Sequence, residues 1–474
     1  MEFKALVKYL FDAEGKSQES LAKENPYRLI AFDGTSPRLG WTRQIPFSAI
    51  EGSLNEAAPF LDNITDVVFL GIGGSGNGIK SLRALFKSAR IYAVDSLDPS
   101  ALEDVVSRVK DINTTLVVPI SKSGTTKETQ LLALAFKELL GSGWQKRFLW
   151  MADNSAFSKL DAQGWTGVKK VSIQCDGQDD IGGRFSCPHT LIFFLPLFIL
   201  LGKDIKKLQK LYNSYLTLLR GLREEAYALA HKYREANPAY FVPLSDGALG
   251  DEFFAWVVQL LQESLGAKNK DFSIKTLQAL DGRPPELLPV KSNAAIKDPV
   301  VGLMANMYFF QMFTAFCAAF KNINFVNQEM VEKYKAQMRK LEGEKPDARP
   351  QMKIDQVADE VKKQLNPGHR FIETVLYFYP HAGLIDNVRK TLSRAFPDRR
   401  VLVFVGSDWN HHSYQAAAGD KETFFIFLNA ASYKEKAAGI CADTLKKNSD
   451  TLRLISKATY LTMSDKSVLL DLVM

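Results

Sequence analysis

Hydroxyl-bearing residues surround one glycine at residues 121–126, where the chain reads SKSGTT. This segment directly follows the strand-like run TLVVPI and opens a helical pattern. A helix N-terminus offers unpaired backbone N–H groups and a partial positive charge, both of which suit a phosphate group. Gly124 permits an unusual backbone turn, and Lys122 lies among the hydroxyls. The hydroxyl groups belong to Ser121, Ser123, Thr125 and Thr126. The motif therefore predicts a phosphate-binding loop.

A second glycine-rich turn, GIGGSG at residues 71–76, follows the preceding strand pattern and places Gly74 and Ser75 at a helix entry. Two other interpretations are open. Ser and Thr are ordinary helix caps, and such a turn also occurs in dinucleotide-binding folds, where Asp95 would be the ribose-binding acid. Two neighbouring hydroxyl- and glycine-rich turns favour a terminal phosphate over a pyrophosphate.

The elements that must position these loops repeat one order, which is a short apolar run, a small-residue turn and a helix. The predicted strands include DVVFL, TLVVPI, RFLWMADN, VKKVSI, VLVFVGSD and TFFIFLNA. Strands that alternate with helices predict parallel sheets covered on both faces. We expect an α/β protein with two doubly wound domains and helical extensions. The ligand site should lie at the carboxyl ends of the strands, between the domains.

The chain of 474 residues is too long for one ordinary core, which favours two domains. A second unit is predicted to begin near AYFVPLSDGALGDEFFAWVVQLLQE, which repeats the order of the first. The predicted divisions are a helical extension (1–45), a phosphate-binding domain (46–205), a helical connection (206–235), a second domain (236–430) and a helical tail (431–474).

Charge and cysteine usage argue against several classes of function. The formal net charge is +7, and Lys and Arg are spread among Asp and Glu, so no basic stripe indicates nucleic-acid binding. The four cysteines form no CxxC pair, which argues against a zinc site and indicates a reducing cytoplasm. Two apolar runs, 190–202 and 301–320, are predicted to be buried helices, because the first is too short for a span and the second contains Asn306 and Gln311.

Four later motifs join SKSGTTKET in a pattern that resembles the glucose-6-phosphate isomerase family of the sugar isomerase fold. They are DIGGRFS (180–186), QLLQESLGA (259–267), NFVNQEMVEKYKAQM (324–338) and NHHSYQ (410–415). The His segment follows the Lys segment, an order that resembles the isomerase part of transaldolase–glucose-6-phosphate isomerase fusions. Ala267 stands where the family commonly has Lys, with Lys268 one position later. The phosphate loop alone would also fit amidosugar-phosphate enzymes and sugar-phosphate-sensing regulators.

The resemblance implies that Glu263 is the base that moves a proton between C1 and C2, and that Arg184 stabilises the enediolate. Glu263 closes an amphipathic helix at Gly266, where the negative end of the helix dipole should raise its pKa. Gln259 lies one turn earlier on the same face and could orient the substrate. The structural alternatives are a solvated Glu at a helix end and an Arg that pairs with a carboxylate.

Opening of the sugar ring requires separate acid–base groups. The resemblance implies Lys335 and a histidine, and the spacing from Gln415 selects His411. A His-Ser alignment selects His412 instead, so both remain candidates. Glu128 matches an acid that contacts the substrate or supports the site, and Gln328 matches a residue that helps to hold the phosphate.

The implied activity is the reversible isomerisation of glucose 6-phosphate and fructose 6-phosphate, a step of glycolysis and gluconeogenesis. It requires no cofactor and no metal, and the expected protein is a cytoplasmic homodimer without a nucleic-acid or membrane partner. Two alternatives are a dual phosphoglucose/phosphomannose isomerase and a non-catalytic sugar-phosphate sensor. A sensor needs the loop but no base, so Glu263, Arg184 and Lys335 together favour an enzyme.

Overall fold

The computed structural model contains two parallel sheets, each flanked by helices, and this confirms the predicted fold class. It describes residues 3–12, 30–34, 36–236, 240–241, 249–266, 275–276, 296–327, 329–344, 349–437 and 439–473. The strands of the first part are β1 (Phe32–Asp33), β2 (Ser36–Pro37), β3 (Asp66–Leu70), β4 (Ile91–Val94), β5 (Thr115–Pro119), β6 (Leu149–Ala152) and β7 (Lys169–Ser172). The helices of this part are α1 (Phe3–Asp12), α2 (Phe47–Ala57), α3 (Gly74–Phe86), α4 (Pro99–Arg108), α5 (Lys127–Leu140), α6 (Phe157–Leu160) and α7 (Leu191–Leu200).

The first sheet is parallel and has the order β4-β3-β5. Two parallel bridges, Val117 to Phe148 and Ile120 to Met151, connect β5 to the β6-β7 pair. Every residue of β3 and β5 is buried, because helices cover both faces. The two small-residue turns therefore emerge side by side, GIGGSG after β3 and SKSGTT after β5, as the strand–turn–helix pattern predicts.

A layer of long helices packs on the first sheet and shares its main hydrophobic core. Its helices are α8 (Ile205–Leu216), α9 (Leu219–Ala236), α10 (Gly250–Leu265) and α11 (Pro299–Lys321). The segment predicted to open the second domain belongs here. The strand that the structure describes in this segment is β8 (Tyr240–Phe241), which pairs with β9 (Lys275–Thr276) outside both large sheets, and α10 packs against α3 and α11. The boundary at residue 236 stays a prediction.

α11 is, among the described residues, the one helix long and apolar enough to cross a membrane. Its apolar window is completely buried within the fold, as is most of α7. Length and composition are therefore weak evidence for a span, and both runs are the buried helices that the sequence predicts.

The second sheet is also parallel and has the order β10-β14-β13-β11-β12. Its strands are β10 (Gln351–Met352), β11 (Phe371–Tyr377), β12 (Arg400–Val405), β13 (Thr423–Ala430) and β14 (Ser467–Leu472). The accompanying helices are α12 (Val331–Lys340), α13 (Ile354–Lys362), α14 (Leu384–Ala395), α15 (Asp408–His412), α16 (Tyr414–Ala417) and α17 (Ala442–Leu461). The segment predicted as a helical tail, 431–474, contains α17 and also β14, whose apolar run pairs between β10 and β13 inside the sheet.

Candidate active site

The glycine turn after β3 touches the glycine turn that carries Arg184. A Cβ on Gly74 would lie 2.5 Å from the Gly183 carbonyl oxygen and 2.8 Å from the Arg184 nitrogen, so only glycine fits this approach. Ser75 follows in the first turn of α3 and is half-buried. This close contact fixes the backbone of Arg184 beside the first sheet.

Arg184 and Glu263 form a buried ion pair, with 3.0 Å between Arg184 Nη1 and Glu263 Oε1. The exposed fractions are 4% for Arg184 and 6% for Glu263. Arg184 also donates from Nε to the Ser264 hydroxyl at 2.8 Å and from Nη2 to the Phe325 carbonyl at 2.5 Å. Two of these three contacts hold the guanidinium against the last turn of α10. Glu263 is therefore buried and paired, and it is not the solvated carboxylate at a helix end that the sequence left open as an alternative.

The pKa of Glu263 is raised, as the sequence predicted, but burial is the main cause. Arg184 and the Gln259 amide oppose this shift because both favour the ionised carboxylate. Burial likewise lowers the pKa of Arg184, and Glu263 opposes it. The prediction assigned the raised pKa to the helix dipole, whereas the enclosure of the carboxyl by the protein is the dominant effect.

A short chain of contacts leads from Glu263 to His411. Gln259 Nε2 donates to Glu263 Oε2 at 3.0 Å, and Asn77 Nδ2 donates to Gln259 Oε1 at 2.9 Å. Gly73 has a φ of +63° and a ψ of −130°, and a Cβ built on it would lie 3.0 Å from Gln259 Nε2 and 3.1 Å from His411 Cβ. The bare glycine thus forms the surface between His411 and the Gln259–Glu263 pair.

The hydroxyl loop between β5 and α5 has two differently oriented halves. Ser121 is buried and donates to the Thr126 hydroxyl at 3.0 Å, so it braces the loop. The Ser123 and Thr125 hydroxyls lie 2.9 Å apart and are exposed. Lys122 turns away, because its Nζ donates to the Ile181 carbonyl at 2.5 Å and lies 3.6 Å from Asp153 Oδ2. The structure therefore does not bring Lys122 to the predicted phosphate site.

Glu128 and His411 join the two α/β units by a hydrogen bond of 2.8 Å between Oε1 and Nε2. Burial alone would lower the pKa of His411, but the Glu128 carboxylate outweighs it and leaves that pKa raised. Burial would raise the pKa of Glu128, yet His411 holds it below its usual value. The pair therefore favours an imidazolium beside a carboxylate.

One cleft of about 440 Å³ collects six of the predicted site residues, which are Ser123, Thr125, Thr126, Glu128, Lys335 and His411. We call it the main cleft. Its lining includes the hydroxyl loop, the Glu128–His411 pair and one face of α12, which contributes Tyr334, Lys335 and Arg339. Lys335 Nζ lies 3.1 Å from Glu332 Oε1 and is partly exposed. Glu263 is not among the lining residues; it lies beyond Gly73, next to Gln259.

His412 points away from the main cleft. Its Nδ1 lies 2.5 Å from the Ser413 hydroxyl, its Nε2 lies 3.8 Å from Asp408 Oδ2, and its ring contacts Phe404. Burial lowers the pKa of His412, which keeps the ring neutral. Of the two adjacent candidates the structure brings His411 to the cleft and leaves His412 in the core. Gln328 lies outside the described residues.

Two residues that the sequence analysis missed hold this arrangement together. Asp408 Oδ1 accepts from the Gly73 backbone N–H at 2.8 Å and so links the second unit to the first glycine turn. Gln415 accepts from the Met330 N–H at 3.0 Å and donates to the Gly266 carbonyl at 3.1 Å. The position of Gln415 in NHHSYQ was the signal that could have identified it. Asp408 offered none, because its partner is 335 residues away.

Comparison with known proteins gives a family match over part of the chain. Residues 55–217 match the model of the phosphoglucose isomerase family. The chain is 29% identical over 245 residues to a glucose-6-phosphate isomerase of Prochlorococcus marinus, covering 48% of this chain and 44% of that protein. It is 31% identical over 227 residues to one of Thermus thermophilus, covering 44% of this chain and 51% of that protein. The chain thus spans about half the length of these relatives.

A solved glucose-6-phosphate isomerase from Chlamydia trachomatis superposes with a TM-score of 0.48 and 16% identity, covering 73% of this chain and 87% of that one. The matched residues 55–217 include GIGGSG, SKSGTT and DIGGRFS, so the resemblance to the family is confirmed for the part that carries these three motifs.

Proposed function

We propose that the protein catalyses the reversible isomerisation of glucose 6-phosphate and fructose 6-phosphate through an enediol intermediate. One observation carries this proposal: the hydroxyl loop, the Glu128–His411 pair and Lys335 line one cleft, and His411 borders the bare surface of Gly73 next to Gln259 and Glu263. The groups that would bind the phosphate, open the ring and move the carbon-bound proton therefore lie next to one another in space, in that order. The family match over residues 55–217 supports the same reaction.

The phosphate of the substrate binds at the start of α5 in this proposal. The exposed hydroxyls of Ser123 and Thr125 and the partly exposed Thr126 face the cleft there, and the helix adds its free N–H groups. Each charge-assisted hydrogen bond of this kind contributes about 1.5–3 kcal/mol. Lys122 and Ser121 support the loop from behind and do not bind the phosphate directly.

The ring of the bound sugar opens between His411 and Lys335. His411, kept protonated by Glu128, donates a proton to the ring oxygen. The anomeric hydroxyl, next to Lys335, loses its proton to solvent, so that the C1–O bond to the ring oxygen breaks and an aldehyde forms. Both groups line the main cleft, and Glu128 faces them both.

The isomerisation step uses Glu263 as the base. The ionised carboxylate takes the proton from C2 of the open aldose, and the electron pair forms the C1–C2 double bond of an enediolate. Arg184 stabilises the negative charge on the oxygen, since a guanidinium keeps its charge at every relevant pH. The proton on the C2 oxygen then passes to the C1 oxygen while Glu263 returns the carbon-bound proton to C1, so that C2 becomes the carbonyl carbon of the ketose. The reverse reaction uses the same groups.

The cellular context belongs to the same proposal. The reaction would serve glycolysis and gluconeogenesis in the cytoplasm, and the free thiols of Cys175, Cys187, Cys317 and Cys441 support a reducing compartment. The proposed substrate is the sugar phosphate, without cofactor, metal, nucleic acid or membrane partner. The homodimer rests on the family resemblance alone.

A coupled assay of glucose 6-phosphate, mannose 6-phosphate and fructose 6-phosphate tests this function. The wild type should convert glucose 6-phosphate and fructose 6-phosphate, and Glu263→Gln should lower kcat by about 10²- to 10⁴-fold, the usual range for a positioned acid–base group. Glu56→Gln is a matched control, because this partly exposed carboxylate pairs with Lys169 away from the cleft. Turnover of mannose 6-phosphate would establish the dual isomerase. Binding of fructose 6-phosphate without any turnover would establish the sensor and contradict the proposal.

A further inference from the structure

A second cavity, of about 320 Å³, adjoins the main cleft. Lys127 and Glu342 line both cavities and form the wall between them, with 3.1 Å between Nζ and Oε1. Lys127 is the first residue of α5 and directly follows the hydroxyl loop. A volume of this order lies at the small end of the range typical of small-molecule sites.

The second cavity combines an apolar floor with a charged rim. Leu341, Leu454 and Leu469 supply the apolar side chains. The basic lining residues are Lys127, Arg349, Lys446, Lys447, Arg453 and Lys457. They outnumber the acidic ones, which are Glu342, Glu344, Asp443 and Asp450. This composition suits a ligand that has both an apolar body and a negative charge.

Four of the six basic residues belong to α17, and three of these share one face of the helix. Lys446, Arg453 and Lys457 are spaced seven and four residues apart, which places them on the same side of the helix. Lys457 Nζ lies 2.9 Å from Glu344 Oε2, and the side chain of Glu344 is half exposed. The Lys457 side chain is itself only 14% exposed, so Glu344 is the solvent-facing partner of the pair. An anionic ligand that enters the cavity from solvent can therefore replace Glu344 as the partner of Lys457.

We propose that the second cavity binds a small organic anion that carries a phosphate or carboxylate group on an apolar body, and that this ligand weakens sugar-phosphate binding in the main cleft. The negative group would lie among the lysines of α17 and the apolar body against the three leucines. The coupling, which rests on the proposed function, follows from Lys127. Two anions on either side of one ammonium compete for its charge and repel each other.

Ligand-observed NMR with phenyl phosphate tests the site without any need for catalysis. Phenyl phosphate should bind, while phenol, which lacks the charge, should bind clearly more weakly. Lys447→Glu, at an exposed position that leaves the fold intact, should weaken phenyl phosphate binding by about fivefold, as expected for a partly exposed charge contact. Lys206→Glu, an equally exposed lysine on α8, is the matched control and should have no effect.

Phenyl phosphate could also bind in the main cleft, so Lys335→Gln is the variant that tests for binding there. Phenyl phosphate binding that survives Lys335→Gln and falls in Lys447→Glu supports the second cavity. Binding that falls in Lys335→Gln and survives Lys447→Glu overturns the proposal. In the coupled assay, saturating phenyl phosphate should raise the KM for fructose 6-phosphate about twofold to fivefold in the wild type and less in Lys447→Glu. An unchanged KM alongside confirmed binding would refute the coupling.

Discussion

Arg184 contacts Glu263 through a direct ion pair of 3.0 Å in the interior of the protein, where neither side chain is more than 7% exposed. The two residues come from positions 79 apart in the chain, one on a glycine turn and the other in the last turn of α10. A buried carboxylate has a raised pKa, and the neighbouring guanidinium limits that rise. Burial therefore favours proton uptake by Glu263, while Arg184 keeps the ionised carboxylate accessible.

Replacement of Arg184 should therefore move the acid limb of the pH–rate profile. Because Arg184 favours the ionised form of Glu263, Arg184→Gln raises the pKa of Glu263 further, and activity is lost at a higher pH on acidification. The kcat at the optimum should also fall by about 10²- to 10³-fold, as when one charge-stabilising donor is removed. Measurement of kcat from pH 5 to 9 checks both effects. An unshifted acid limb would show that Arg184 does not control the titration of the base.

Replacement of Glu128 should move the basic limb of the pH–rate profile. The Glu128 carboxylate keeps the pKa of His411 raised, so Glu128→Gln lowers it, and the imidazolium needed for ring opening is lost at a lower pH. The basic limb of kcat/KM should shift toward acid. Glu138→Gln, an exposed position on the same helix, is the control and should leave the profile unchanged.

The same pair has a definite effect on stability. The folded pKa of His411 is raised, so its stabilising contribution is complete below the ordinary value of 6.5 and is lost as pH rises through the folded pKa. Glu128 has a lowered pKa, so its contribution is lost only in acid. The destabilisation caused by Glu128→Gln should thus be larger at pH 5.5 than at pH 9. Equal losses of unfolding free energy at both pH values would contradict the ion pair.

Gly73→Ala should disturb the contact surface between His411 and the Gln259–Glu263 pair. The backbone conformation of Gly73 is one that side chains rarely adopt, and a Cβ there would press on Gln259 and His411. We expect a fall in kcat/KM of about 10²-fold, the size associated with small misplacement of catalytic groups. Gly52→Ala in α2, where a Cβ meets open space, should retain activity. Near-normal kcat/KM in Gly73→Ala would show that the substrate does not pass this surface.

Ring opening and proton transfer can be distinguished with an open-chain substrate. A four-carbon aldose 4-phosphate has no free hydroxyl placed to close a five- or six-membered ring, so it needs only the isomerisation step. Lys335→Gln and His411→Asn should lose most activity on glucose 6-phosphate, yet retain activity on this substrate. Glu263→Gln should lose both. Parallel loss of both activities in Lys335→Gln would remove the ring-opening assignment.

The sequence predicted the two turns and six strands correctly, because continuous apolar runs next to small residues are typical of buried parallel strands. The strands that it missed include β11 and β14, each of which contains a charged residue. Glu373 in β11 accepts a hydrogen bond from the Trp409 indole, and Asp471 in β14 pairs with Arg453. These buried charges make the strands hard to recognise in the sequence, since the partners of the charges lie in other parts of the fold.

Side-chain direction within a motif was the second limit of the sequence. SKSGTT and NHHSYQ were located correctly, yet Lys122 and His412 turn inward toward Asp153 and Asp408. The direction of each side chain is decided by an acidic group outside its motif. The contact between Asp408 and Gly73 is likewise invisible in the sequence, because it exists only once the two α/β units meet.

The central claim is that Glu263 carries a proton between C1 and C2, and hydrogen exchange of the bound sugar tests it most directly. Fructose 6-phosphate incubated with the wild type in D₂O should gain deuterium at C1, which ¹H NMR detects as loss of a C1 proton signal. Glu263→Gln should bind fructose 6-phosphate but exchange its C1 hydrogen at least about 10²-fold more slowly. Exchange at the wild-type rate in Glu263→Gln would contradict the account.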